Sequence, residues 1–227
     1  MIILPVGDVQ KTRHTAWINW LLIAANCIIF ASYWFKPESR DAVYINYAMV
    51  PDHWQNWKTL FTSMFLHGDP LHLLGNMLFL YIAGDNVEDR LGHLAYLVFY
   101  ILAGLAGAVA HIIFTTQFGS GGAIPTIGAS GAISGVMGAY LVLFPRVQIK
   151  FMIWLIIFVR FFTLPSWGVI TFWVATQVLM ARSHWDGTVK KDAAMIAVFA
   201  HLGGFVFGMV VAIFVRMFGK EPRKSRD

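Results

Sequence analysis

Long apolar runs separated by short charged segments organise the chain. A helix that crosses the roughly 30 Å hydrocarbon core of a bilayer needs about 20 residues. Thr15–Phe35 contains no Asp, Glu, Lys or Arg and has that length, and Pro70–Gly84 begins a second helix that we expect to reach about Arg90. Phe161–Ala181 and Ala193–Val215 are two further uncharged runs of sufficient length. The pattern therefore predicts several membrane-spanning helices.

The longest uncharged run, Leu91–Pro145, has 55 residues and is too long for one span. Its turn-forming residues predict a long helix at about 94–116, a Gly-rich loop, and a short helix at Ser130–Phe144. These turn-forming residues are Gly119, Gly121, Gly122 and Pro125. The short helix reaches only about 22 Å, roughly 8 Å less than the hydrocarbon thickness. We therefore expect Ser130 to lie inside the membrane, at the floor of a water-filled pocket that opens on the outer side.

Together these runs predict six spans in an all-α fold, a polytopic membrane helix bundle whose fourth helix is short. The apolar segment between Lys150 and Arg160 is too short to cross the membrane and is expected to lie at its interface. We expect a single integral membrane domain over residues 1–227. Its core would occupy 15–216, and short cytoplasmic tails would occupy 1–14 and 217–227.

The composition supports a membrane protein and excludes other classes. Apolar residues make up 58% of the 227 positions and charged residues 13%, and the mean hydropathy is +0.63. A soluble domain has about a quarter charged residues, so a water-soluble globule, a disordered chain and a nucleic-acid binder are all excluded. In a membrane protein, the positive charges indicate which side of the membrane each loop occupies. The side that holds both termini collects 11 of the 17 Lys and Arg residues, which predicts cytoplasmic termini by the positive-inside rule.

Ser130 lies in the small-residue run Gly128-Ala-Ser-Gly131, at the predicted start of the short helix. Free backbone N–H groups and the helix dipole at such a position can bind an anion, including the oxyanion of a tetrahedral intermediate. A small-residue run with a serine is, on its own, more often a helix-packing face, for which Gly131 and Gly135 have the right spacing. These residues alone leave both interpretations open.

His201 lies about eight residues into the sixth predicted span, and Gly204 and Gly208 follow near the same helix face. A buried histidine is often a hydrogen-bonded structural residue. A glycine face, however, lets another helix approach closely, and the short helix offers Gly131 and Gly135 as the matching surface. Such packing would bring the imidazole within reach of Ser130, where it could act as the base that activates the hydroxyl.

His72 and Asn76 share a face in the first turns of the second span, at the depth expected for Ser130. They are candidate donors to negative charge that develops on a carbonyl oxygen. Helix capping and hydrogen bonding between helices are the alternative. His67 is expected to shape the outer loop, and His111 is expected to be structural.

Several residue types are missing from the predicted spans. The predicted spans contain no Asp or Glu. This absence excludes an aspartyl intramembrane protease and argues against an ion-coupled transporter. The chain has no H-E-x-x-H sequence, so a zinc protease of that type is not expected. We expect neither a metal nor another cofactor. Serine chemistry here would therefore use a Ser–His dyad without an acid.

From Trp57 to Gly208 the chain resembles the rhomboid family of intramembrane serine proteases. The resemblance rests on Phe65-Leu-His67-Gly68, His72-x-x-x-Asn76, Gly128-Ala-Ser130-Gly131 and Ala200-His201-x-x-Gly204-x-x-x-Gly208. It implies a six-helix fold of bacterial type in a prokaryotic cell (inner) membrane, with an active site that opens to the outer side. The implied partners are the lipid bilayer and transmembrane protein substrates, which the enzyme would cleave. Ser130 then corresponds to the nucleophile, His201 to the general base, and His72, Asn76 and the Ser130 backbone N–H to the oxyanion hole.

Two positions depart from the family pattern. Lys58 follows Trp57 where the family often has arginine, and lysine lacks the planar fork for paired hydrogen bonds. Ser134 lies four residues after Ser130, where some members have an aromatic side chain that supports the histidine ring. The competing functions are a catalytically silent rhomboid-like protein that binds membrane clients and a small-solute channel. The first predicts loss of Ser130 or His201, and the second predicts polar residues through both leaflets. The sequence has neither feature.

Overall fold

The computed structural model describes residues 1–117, 122–155, 157–185 and 198–219. The first half of the chain forms β1 (Ile2–Asp8), α1 (Trp17–Trp34), α2 (Pro37–Tyr47), α3 (Trp57–Thr62), α4 (Pro70–Leu91) and α5 (His93–Gln117). The second half forms α6 (Ser130–Leu143), β2 (Gln148–Leu155), β3 (Phe158–Pro165), α7 (Ser166–Trp185) and α8 (Val198–Phe218). Short 3₁₀ turns at Pro51–His53 and Ser63–Phe65 flank α3.

The short helix α6 lies at the centre of the helix bundle. It begins at Ser130, as predicted, and ends one residue before the predicted Phe144. Every side chain from Gly131 to Tyr140 is buried, and α6 packs against α4, α5 and α8. A helix that is apolar on all sides and enclosed by other helices has no face left for solvent. Its first residue is therefore held in a fixed position by the surrounding bundle.

Three of the described helices, α1, α5 and α8, are long and apolar enough to cross a membrane. Large apolar side chains are exposed along all three, as expected where lipid is the solvent. Examples are Leu21, Ile28, Val98, Leu102, Val206 and Phe214. The six-span count remains a prediction. Gly119, Gly121, residues 193–197 of the sixth predicted span and residues 220–227 of the C-terminal tail lie outside the described residues.

Carboxylates are present on α4, a span that was expected to carry none. The helix continues to Leu91 and so includes Asp85, Glu88 and Asp89. The buried Glu88 carboxylate accepts hydrogen bonds from the backbone N–H groups of Ile18 at 3.0 Å and Asn19 at 2.7 Å. These N–H groups belong to the first turn of α1, where a carboxylate satisfies free donors and complements the helix dipole. Glu88 therefore joins two helices at the end of the bundle far from Ser130.

The fold is mostly helical, as predicted, but it is not all-α, because three strands form an antiparallel sheet in the order β1-β2-β3. The segment expected at the membrane interface, between Lys150 and Arg160, forms the second half of β2 and the start of β3, and the paired Phe151 and Phe162 rings stack with centroids 5.3 Å apart. Phe161 to Pro165 belong to β3, so α7 begins at Ser166 and not at the predicted Phe161. The error has a physical cause. Periodicity alone does not distinguish a short apolar strand from a helix, whereas the β-branched and aromatic content of this segment favours a strand.

The N-terminal segment, expected to be a short cytoplasmic tail, contains the strand β1. The Asp8 carboxylate, at the end of β1, accepts hydrogen bonds from the Tyr140 hydroxyl on α6 and from Nδ2 of Asn86 on α4, the latter at 2.8 Å. Burial raises the pKa of Asp8 above its ordinary value. At the same end of the bundle, the Arg216 guanidinium of α8 donates to the Val142 carbonyl of α6 at 3.3 Å. The sheet and the last turns of α4, α6 and α8 therefore share one end, opposite to Ser130.

Candidate active site

Ser130 and His201, 71 positions apart in the chain, are hydrogen-bonded across the α6–α8 interface. The Ser130 Oγ and the His201 Nε2 are 2.8 Å apart. Both residues are half-buried, so the pair is shielded by the bundle but still reachable. A hydroxyl in this geometry can pass its proton directly to an imidazole nitrogen.

Close packing of glycines brings α6 and α8 together. A Cβ at Gly204 would overlap the Gly131 carbonyl oxygen, and a Cβ at Gly208 would overlap that of Gly135. The backbones of the two helices are therefore in direct contact at two successive turns. The contact on Gly131 itself is looser, since a Cβ there would lie 3.6 Å from the Ala200 carbonyl oxygen.

The loop before α6 is tied to the end of the bundle that holds Ser130. Thr126 forms a two-bond antiparallel bridge with Met49, and its hydroxyl lies 3.0 Å from the Nε2 of His111. The N–H of Gly128 donates to the Ser63 carbonyl at 2.9 Å. His111 is thus a loop-holding residue, in line with the structural role expected for it. These contacts fix the backbone that leads into Ser130.

His72 borders the space in front of Ser130. Asp69 caps α4 by accepting from the backbone N–H groups of Leu71 and His72, at 2.8 and 2.9 Å. A Cβ placed on Gly128, whose φ is +130°, would lie 3.0 Å from the His72 Nε2 and 3.6 Å from the Ser130 Oγ. His72 and Ser130 therefore line one small space, and the absence of a side chain at Gly128 keeps it open.

Two further groups near this space are available as hydrogen-bond donors. Asn76 lies one turn after His72 on α4, and its buried Nδ2 has no hydrogen-bond partner within the described ranges. No side chain caps the N-terminus of α6 in this part of the structure, so its first N–H groups are not occupied by a cap. Ser130 also lines a cavity of about 30 Å³ that neither His72 nor Asn76 lines, and its volume exceeds the roughly 10–15 Å³ that one water molecule needs.

His67 supports His72 from behind. Its ring is fully buried and meets the His72 ring edge to face, with centroids 5.1 Å apart. The hydroxyls of Tyr33 and Tyr44 both donate to the His67 carbonyl at 2.9 Å. Burial lowers the pKa of this loop histidine to about 3, so it is neutral at ordinary pH. His67 therefore shapes the loop as a neutral, packed ring.

Two residues on α7 that the sequence analysis did not identify contact His201. The Gln177 Oε1 lies 2.7 Å from the His201 Nδ1, and the Trp173 ring centroid lies 5.8 Å from that of His201. Gln177 is buried. The sequence feature that could have identified Gln177 is an amide side chain in a mostly apolar span, one helical turn after Trp173. Ring support that an aromatic at position 134 could supply comes instead from this helix, while the Ser134 hydroxyl donates to the Ser130 carbonyl at 2.6 Å.

The other departure from the family pattern is at position 58. Lys58 is exposed on α3. Among the described residues, no group of three or more His, Cys, Asp and Glu side chains is placed to hold a metal ion.

Comparison with known proteins identifies the family. The Rhomboid domain model matches residues 53–218, well over half of the chain. The protein therefore belongs to the rhomboid family, and its apolar helices make it an integral membrane protein.

Individual relatives are more distant. The chain is 38% identical over 85 residues to Rhomboid protease GluP of Bacillus subtilis, covering 37% of this chain and 15% of that protein. It is 24% identical over 213 residues to Rhomboid protein 1, mitochondrial, of Saccharomyces cerevisiae, covering 94% of this chain and 57% of that protein. It is 25% identical over 211 residues to the bovine Presenilin-associated rhomboid-like protein, mitochondrial, covering 89% and 52%. The matches thus span 15% to 57% of these relatives' lengths.

Proposed function

We propose that the protein is an intramembrane serine endopeptidase in which Ser130 is the nucleophile and His201 the general base. The 2.8 Å hydrogen bond between the Ser130 Oγ and the His201 Nε2 carries the proposal. A serine hydroxyl is a weak nucleophile at neutral pH until an adjacent base takes its proton. Membership of the rhomboid family supports the same reaction class.

The reaction needs donors where negative charge develops. The Ser130 Oγ attacks the substrate carbonyl carbon as its proton passes to His201, and the carbonyl oxygen becomes an oxyanion. His72, Asn76 and the Ser130 backbone N–H are the groups that would bind this oxyanion. The unpartnered Nδ2 of Asn76 supports that role. His201 then protonates the departing amine, and water hydrolyses the acyl-enzyme.

The substrates would be transmembrane segments of other membrane proteins. A peptide bond inside a helix is shielded by its own hydrogen bonds, so the segment must unwind before it can reach Ser130. Segments with Gly, Pro or polar residues unwind at least cost and should be preferred. Approach from the lipid near α4 and α7 would bring the segment to the site.

The distribution of Lys and Arg and the two ends of the bundle support a proposed orientation. We propose a single membrane domain over residues 1–227 with both termini in the cytoplasm and the site on the outer side. The sheet and the last turns of α4, α6 and α8 lie at the end opposite to Ser130, which supports a cytoplasmic position for β1 if the site faces outward. We place this domain in a prokaryotic inner membrane and assign no metal or cofactor to the reaction.

A cleavage assay tests the function directly. Purified protein is reconstituted and incubated with a model transmembrane substrate, beside Ser130→Ala, His201→Ala and the control Ser32→Ala, whose exposed hydroxyl donates to the Ile29 carbonyl within α1. We expect both dyad variants to lose at least about 10³-fold in rate and the control to match the wild type. Equal cleavage by all four proteins would refute the dyad. Binding of the substrate without cleavage by any of them would favour a catalytically silent client-binding protein.

A further inference from the structure

Gln177 accepts a hydrogen bond from the nitrogen of His201 that does not contact Ser130. The amide oxygen Oε1 lies 2.7 Å from the His201 Nδ1, and the amide Nε2 donates to the Thr176 hydroxyl at 3.3 Å. The Thr176 hydroxyl donates its one proton to the Trp173 carbonyl at 2.6 Å, so it can only accept from the amide, and the end that faces it must be Nε2. Because an amide oxygen can only accept, the Nδ1 of His201 must carry the proton.

The proton on Nδ1 decides what the other ring nitrogen can do. A neutral imidazole has one N–H and one lone pair, so a protonated Nδ1 leaves the lone pair on Nε2, which faces the Ser130 hydroxyl. The opposite tautomer would direct an N–H at Ser130 and could not take its proton. In serine hydrolases with a triad, a carboxylate fixes this choice. Among the described residues, the hydrogen bonds of the His201 ring are those to Ser130 and Gln177, and neither partner is a carboxylate.

We propose that Gln177 is a positioning residue that fixes the reactive tautomer and the ring orientation of His201, acting as a neutral third member of the site. This inference rests on the proposed function. Trp173, one turn earlier on the same face of α7, packs against the ring at 5.8 Å with an interplanar angle of 42°. One helix therefore determines both the tautomer and the plane of the base. The ring support that Ser134 cannot give is supplied in this way.

A neutral acceptor differs from a carboxylate in one measurable respect. It orients the ring but adds no negative charge to stabilise the imidazolium that forms during the reaction. The other titratable groups that act on His201 are His72 on α4 and His111 on α5. A glutamate at position 177 would keep the acceptor and add a charge, whereas a methionine would keep the volume and remove the acceptor.

The kinetic test compares Gln177→Met, Gln177→Glu and the control Leu179→Met, which introduces the same residue at an exposed position of α7. For Gln177→Met we expect kcat to fall about 10- to 100-fold with KM within about twofold, as for loss of a group that acts in the transition state. Gln177→Glu should recover most of kcat and move the acidic limb of the pH–rate profile to higher pH, because a carboxylate favours the protonated ring. Leu179→Met should match the wild type. Full activity of Gln177→Met, or a Gln177→Glu variant as slow as Gln177→Met with an unshifted profile, would overturn the proposal.

A spectroscopic test separates this proposal from the function on which it rests. In ¹⁵N NMR of protein labelled at histidine, the His201 signal is assigned by its loss in His201→Ala. We expect the Nδ1–H tautomer in the wild type and a mixture of tautomers in Gln177→Met. A wild-type Nε2–H tautomer would refute the role of Gln177 even if Ser130→Ala abolishes cleavage. The expected tautomer in a protein whose Ser130→Ala variant still cleaves would instead refute the proposed function and leave the positioning of His201 intact.

Discussion

The α-carbon of Gly204 on α8 lies directly against the carbonyl oxygen of Gly131 on α6, with no room for a Cβ between them. Gly131 follows the serine and Gly204 lies three residues after the histidine of the hydrogen-bonded pair. The separation of these two backbones therefore determines the 2.8 Å distance between the Ser130 Oγ and the His201 Nε2. The catalytic proposal thus depends on helix packing as much as on the two side chains.

Gly204→Ala should separate the dyad. The added methyl overlaps backbone, which cannot move aside as a flexible side chain can, so the helices must move apart. A displacement of about 1 Å can cost about 10²-fold in rate, and we expect a loss of this order together with a lower unfolding temperature. Gly168→Ala is the matched control, since its nearest neighbour would lie at an ordinary 3.8 Å. A fully active Gly204→Ala protein would show that this contact does not position the dyad.

Gly128→Ala should block the space between His72 and Ser130. The new Cβ would lie 3.0 Å from the His72 ring, at a backbone φ of +130° that disfavours any side chain. Gly92→Ala controls for the backbone term, because its φ is +84° and no atom lies within 4 Å of its Cβ position. We expect both variants to unfold at lower temperature, but only Gly128→Ala to lose cleavage. Equal activities would assign the effect of Gly128 to backbone strain.

Asn76→Ala should slow the chemical step. Removing one oxyanion donor costs about 10²–10³-fold in kcat in well-studied cases, and we expect a loss in that range with little change in KM. Asn46→Ala removes an exposed amide that donates to the Ala42 carbonyl within α2 and should leave cleavage unchanged. A purely structural role for Asn76 would instead appear as a loss of thermal stability with kcat preserved in the folded protein.

Much of this arrangement was predictable from sequence, because it follows from the positions of glycines and charges. The short helix starting at Ser130 follows from the gap in charge between Leu91 and Pro145 and from the turn-forming residues inside it. The pairing of Gly204 and Gly208 with the α6 glycines follows from four-residue spacing. Local rules of this kind carry information about helices and about which faces pack.

The parts that were not predicted depend on contacts between distant segments. β1 becomes a strand because β2 lies beside it, and nothing local in Ile2–Asp8 distinguishes it from a tail. The contact of Gln177 with His201 depends on how α7 is rotated against α8, which a periodicity of 3.6 residues does not determine for a span that is apolar on most sides. Both the β1 strand and the contact between Gln177 and His201 therefore depend on tertiary packing.

The free energy of unfolding should depend on pH through His67, which lies in the loop before α4. Burial lowers the pKa of its imidazole from 6.5 to about 3 in the folded protein. Between these values the unfolded chain binds a proton that the folded chain does not, so stability falls as the pH falls from about 6.5 towards 3. We expect His67→Phe to show a smaller decrease in unfolding temperature than the wild type over pH 7 to 4. The titratable groups that the two proteins share contribute equally to both, so their effects cancel in the comparison. Parallel curves of unfolding temperature against pH would contradict the prediction.

The most direct test of the central claim is covalent labelling with a fluorophosphonate, which reacts with an activated serine hydroxyl by displacement of fluoride. Intact mass and peptide mapping then locate the adduct. If His201 activates Ser130, we expect one adduct, on Ser130, that persists in Ser134→Ala and is absent from His201→Ala. Equal labelling of the wild type and His201→Ala, or an unlabelled Ser130 in protein that still cleaves its substrate, would contradict it.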